Sequence, residues 1–150
     1  MTEVTFYHLT ETPLDDALPG LVEKSLARKW RAAIQVPDAQ TCQDVDMMLW
    51  TNEPVSFLPH GRDGDKPAAD HPVYVTASTD NPNGAAIRFL VRGAEPGGDL
   101  SAYERVAIMF DGGDDEAVQR ARQHWKALKA DGHALAYWKQ TQEGRWERAL

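Results

Sequence analysis

Cysteine is nearly absent. The 150 residues hold one, Cys42, so the chain can form no internal disulfide and no thiolate cage for zinc. Long apolar runs are missing as well: no stretch approaches the ~20 residues that a membrane-spanning helix needs. The opening Met1-Thr2-Glu3-Val4 lacks the basic n-region of a signal peptide. These absences predict a cytoplasmic protein with no membrane association. Basic residues are the minority, 16 Lys and Arg against 23 Asp and Glu, for a formal net charge of −7. That balance argues against a protein that coats nucleic acid with its whole surface, but it leaves room for a local basic patch. There is no internal repeat, no Walker sequence, and no G-x-G-x-x-G following a strand.

Aromatic and aliphatic side chains are well supplied. Five Trp, four Tyr and four Phe within a 42% hydrophobic composition suit one hydrophobic core, and the reading is a single domain over residues 1–150. Residues 4–9 are rich in β-branched and aromatic types and predict a strand. Pro13 signals a helix start. Leu14, Leu18, Leu21, Val22, Leu26 and Trp30 follow a helical period, although Pro19 and Gly20 predict that the regular part begins only after them. Residues 33–36 form a short apolar strand. Asp38 is a plausible N-cap for a helix to Trp50, with Cys42, Val45, Met48 and Leu49 on its inner side. This alternation points to βαβ units and a largely parallel sheet.

Residues 51–72 contain four prolines and several Gly and Asp, which predicts a long surface loop without regular structure. His60 and His71 share this loop with Asp63, Asp65 and Asp70, but no spacing there would preorganise a metal site, and none is expected. Strands are predicted at 73–76, 86–91 and 105–110, a helix at 114–130 closed by Gly132, a strand at 134–139, and a hairpin partner at 145–150.

Asp111-Gly112-Gly113 falls at the carboxyl end of a strand, where α/β folds place their sites. A small hydrolase or nucleotide-binding enzyme could use Asp111. Yet Asp114, Asp115 and Glu116 open the next helix, and acids there complement the helix dipole while repelling a phosphate. No nucleophile with a paired base is identifiable: Cys42 reads as a small core residue and His8 as a packed or edge residue. No catalytic residue and no cofactor is therefore assigned.

The helix at 114–130 is the most informative segment. Ala117, Ala121, Trp125 and Leu128 should face the sheet, while Arg122, Lys126 and Lys129 recur at i, i+4 and i+7 as a basic stripe, with Arg120 and His124 adding to the positive half. Such a stripe is either a solvated face that complements the helix C-terminus or an anion site beside an aromatic ring, suited to a carboxylate next to an apolar side chain. A second candidate is the segment Leu49 to His60, where Trp50, Pro54, Phe57 and Pro59 either cover the core or form a stiffened docking surface.

These segments also carry a family resemblance. Leu49-Trp50, Pro54 and Ser56-Phe57-Leu58-Pro59-His60 look like the signature of the DNA polymerase III chi subunit family. Thr5-Phe6-Tyr7-His8-Leu9 is similar to that family's first strand, and residues 121–132 to its last helix. The acidic stretch 61–72 and residues 140–150 depart from the family's pattern. The resemblance implies a three-layer α/β fold with a mostly parallel, mixed sheet of Rossmann-like topology. It also implies a non-catalytic accessory subunit of the polymerase holoenzyme, associated with the clamp loader. On this resemblance, Arg122, Trp125, Lys126 and Lys129 would receive the acidic C-terminal tail of single-stranded DNA-binding protein. Trp50, Pro54, Phe57 and Pro59 would meet the psi subunit or a helicase, and contact with nucleic acid would be mainly indirect.

Overall fold

The computed structural model describes residues 2–10, 13–51, 61–63, 71–81, 83–97, 100–143 and 145–149; the side chains of Asp15, Trp50, Thr51 and Ser101 are outside the description. The elements in order are β1 (Glu3–Leu9), α1 (Leu14–Ala27), β2 (Ala32–Gln35), α2 (Ala39–Thr51), β3 (Gly61–Arg62), β4 (Val73–Thr76), β5 (Ile87–Leu90), β6 (Arg105–Asp111), α3 (Asp115–Ala130), β7 (Ala134–Gln140) and β8 (Trp146–Arg148). A turn of 3-10 helix, Leu100–Ala102, precedes β6.

One eight-stranded sheet holds them, in the order β3-β4-β2-β5-β6-β1-β7-β8. Every pairing is parallel except β7 with β8. This is the mostly parallel, mixed α/β sheet that the alternating pattern predicts. Parallel strands covered on both faces must be apolar on both, and β6 shows it. Val106, Ile108 and Phe110 point to one side and Ala107 and Met109 to the other, all buried. Leu18 and Val22 of α1 and Cys42, Val45 and Leu49 of α2 pack on the Ala107–Met109 side, the first face. Ala121 and Leu128 of α3 pack on the second, against Phe6, Ile108 and Phe110. Each fully buried aliphatic or aromatic side chain stabilises the fold by about 1.5–3 kcal/mol relative to exposure.

Two predicted features are corrected. First, α1 does not wait for Gly20. It starts at Leu14 and runs through Pro19, whose ring is buried, so apolar packing on the inner side offsets the lost N–H bond. Second, the stretch 51–72 is not wholly irregular. Gly61 and Arg62 pair with Tyr74 and Val75 as an edge strand. Gly61 is suited to that place, because a Cβ there would come within 2.6 Å of the His71 ring. Asp63 extends the junction, with its amide donating to the Val75 carbonyl at 2.9 Å and its carboxylate accepting from the Ala77 amide at 2.8 Å.

Arg88 of β5 is fully buried. Its guanidinium donates to the Gln35 side-chain oxygen at 2.8 Å, the Asp80 carbonyl at 2.7 Å, the Tyr103 hydroxyl at 2.8 Å and the Ser78 carbonyl. The charge is thus solvated by protein oxygens, and it ties the 78–80 turn to the sheet.

The connections part between β1 and β6. From β1 the chain passes over the first face through α1 and on toward β2. From neighbouring β6 it passes over the second face through α3 and on toward β7. Where neighbouring strands send their connections to opposite faces, a crevice opens at their carboxyl ends.

Candidate functional site

Helix α3 begins as its sequence dictates. Asp114 stands in extended conformation, and its carboxylate accepts from the amides of Glu116 at 3.0 Å and Ala117 at 3.4 Å. Asp115 and Glu116 follow in the first turn and Lys129 stands in the last, each matching the dipole. Gly132, at φ +89°, closes the helix in a conformation that suits glycine.

Side-chain direction divides the helix into two flanks around the buried line of Ala121 and Leu128. On one flank Trp125 is half-buried, edge-on to Phe6 with centroids 5.3 Å apart and to Tyr137 at 6.0 Å. Arg122, Lys126 and Lys129 are exposed beside it, and none has an ion pair with a described residue. Arg122 lies near enough to Tyr137 to favour its phenolate, although burial dominates and raises the Tyr137 pKa. The structure therefore brings together the four residues expected at a tail-binding site: three free cations next to a partly exposed aromatic cluster.

Trp50 lies in the last turn of α2 with its side chain outside the described residues, as are Pro54, Phe57 and Pro59 entirely. Among the described residues, no group of three or more His, Cys, Asp and Glu could hold a metal. No helix there is long and apolar enough to cross a membrane. Cys42 is buried, as expected of a core residue, and burial pushes its thiol pKa up.

Arg120 and His124, counted with the basic half of α3, each stand two residues from Arg122, a spacing that puts them on the opposite flank, and there they line the crevice between β1 and β6. That cavity measures about 630 Å³ and also holds Asp111 and Asp114. His8 packs beside it. Its Nδ1 meets the Tyr137 hydroxyl at 2.5 Å, and its ring leans on Phe110 with centroids 5.0 Å apart. Burial, then the Lys139 charge, lowers the His8 pKa against the opposing pull of Asp111. A second cavity, of about 430 Å³, lies between α1 and the β7–β8 hairpin, walled by Trp30, Trp138 and Trp146. Neither cavity borders Arg122, Lys126 or Lys129, so the apolar surface beside the stripe is that of Trp125 and Tyr137.

The fold and this flank describe a class: an α/β protein with a mostly parallel sheet between helical layers and, among the described residues, an unpaired cationic flank on its last helix. The family follows from comparison with known proteins. The model of the DNA polymerase III chi subunit, HolC, matches residues 1–136, and the chain belongs to that family. It is similar to the DNA polymerase III subunit chi of Escherichia coli (strain K12), 28% identical over 148 residues that cover 93% of this chain and 100% of that protein. It is also similar to the probable DNA polymerase III subunit chi of Rickettsia prowazekii (strain Madrid E). That match is 28% identical over 91 residues, covering 61% of this chain and only 55% of that protein.

Proposed function

We propose that this chain is a non-catalytic adaptor of the polymerase III holoenzyme that holds the acidic C-terminal tail of single-stranded DNA-binding protein on α3. The carrying observation is the exposed trio Arg122, Lys126 and Lys129, free of acid partners among the described residues and set beside half-buried Trp125. A tail with several carboxylates meets three donors on one flank, and its apolar last residue meets the Trp125 and Tyr137 rings. Pro54, Phe57, Pro59 and Trp50 would carry the second contact, to a psi subunit or a helicase, and so link the coated strand to the clamp-loader assembly.

The alternative of a hydrolase built on Asp111 has less support. The Asp111 carboxylate is engaged with the Gly113 amide at 2.8 Å, and no Ser, Cys or Lys lines its crevice among the described residues.

Fluorescence anisotropy with a labelled acidic tail peptide tests the adaptor reading. The cations are exposed, so each contributes on the scale of a surface ion pair, about 0.2–1 kcal/mol. Arg122→Ala and Lys126→Ala should each weaken a micromolar affinity up to about five-fold, and the loss should shrink as salt is raised. Removing the peptide's last residue should abolish binding. Unchanged affinity across all three changes would refute the assigned site.

A further inference from the structure

The crevice between β1 and β6 is separate from the α3 stripe. It opens at the point where a Rossmann-like sheet receives ligands, and its volume of about 630 Å³ lies within the range of small-molecule sites. Its lining is mixed. Arg92 comes from the turn after β5 and Arg120 and His124 from the body of α3; Asp111 ends β6 and Asp114 caps α3; Leu14, Leu90 and Phe110 supply apolar surface. The guanidinium of Arg120 lies over Gly93, where a Cβ would come within 2.7 Å of its Nη1, and the backbone there turns through positive φ at Arg92 (+56°) and Gly93 (+88°). The bare glycine lets the cation settle against the chain and into the crevice. Arg120 has no ion pair or hydrogen bond with any described residue, so its five donors remain available.

We propose that this crevice is a mononucleotide-binding site. An organic anion suits the cationic side, where Arg120 would engage a phosphate with Arg92 and His124 beside it. Hydrogen-bond donors suit the acidic side, where sugar hydroxyls would donate to the Oδ2 atoms of Asp111 and Asp114, the Oδ1 atoms being taken by the Gly113, Glu116 and Ala117 amides. A flat apolar body suits the apolar surface. The acids at the start of α3 keep the phosphate away from that helix terminus and fix the orientation: phosphate toward Arg120, sugar toward Asp111.

Thermal unfolding of the full chain with AMP, adenosine and inorganic phosphate as separate probes tests the assignment, with calorimetric titration for affinity. AMP should raise the melting temperature by about 2–4 °C at a few times its dissociation constant. Adenosine and phosphate should each bind at least ten-fold more weakly. Arg120→Ala should lower AMP affinity ten-fold or more, and Arg120→Lys should restore part of it; Lys24→Ala, an exposed cation on α1 away from the crevice, should leave it unchanged. Circular dichroism of each variant monitors folding. The proposal fails if AMP gives no shift at millimolar concentration, if phosphate alone binds as well as AMP, or if folded Arg120→Ala binds AMP normally.

Discussion

His8 and His124 are the residues through which this molecule should feel mild acid. Both have pKa values held below the usual 6.5 chiefly by burial; Lys139 adds to the effect at His8 and Arg120 at His124, while Asp111 and Glu95 respectively oppose it. A depressed imidazole pKa means that the unfolded chain binds more protons than the native state as pH falls through 6.5. Stability is therefore complete above that pH and declines below it, down to the native-state values. We expect the melting temperature to fall between pH 7.5 and pH 5.5. His8→Gln, which keeps a partner for the Tyr137 hydroxyl, should flatten part of the slope; an identical slope in the variant would exclude His8 as a contributor. At this scale the sequence was informative for types and less so for surroundings. Spacing marked Arg122, Lys126 and Lys129 as a stripe flanked by an aromatic ring, and the resemblance joined Trp125 to them as a site. Neither gave warning that Arg88, inside an apolar strand, is buried and bound by carbonyls, because nothing local encodes distant acceptors.

At the level of elements, α3 was the most readable. Its period, its Asp114 cap and its Gly132 stop all point the same way, and local signals that agree are reliable. Helix α1 was harder, since Pro19 and Gly20 speak against a helix that tertiary packing then enforces. Gly20 is exposed and a Cβ there would meet nothing within 4 Å. Gly20→Ala should therefore stabilise the protein by about 0.5–1 kcal/mol in urea unfolding, by restricting the unfolded chain. Gly84, at φ +65°, should respond in the opposite sense to the same change. Equal gains at both positions would show that backbone conformation is not what separates them. The strand β3 escaped notice for a related reason: two residues carry no periodicity, and only the partner strand makes them a strand.

Over the whole molecule, alternating strand and helix patterns were enough to indicate a largely parallel sheet. Strand order was not readable, because it depends on which distant segments share a face. The family match stops at residue 136, inside β7, and the structure continues past it with an antiparallel edge. Trp146 on that edge sits edge-on to Tyr7 with ring centroids 5.0 Å apart. Ending the chain at Gln140 should lower the melting temperature and expose the outer side of β7. An unpaired strand edge beside Trp138 invites pairing with another copy, so sedimentation should show concentration-dependent self-association. A monomeric fragment of undiminished stability would mean that the last strand is ornamental.

The position of β1 carries one more consequence. It is made before every other described strand, yet its neighbours in the sheet are β6 and β7, which follow most of the others in the chain. Its seven residues, Val4, Phe6, Tyr7 and Leu9 among them, must therefore wait, unpaired, until those two strands have emerged. Closing that long-range register is the slow step this topology imposes, and newborn chains are most exposed to chaperones and to one another during the interval before it.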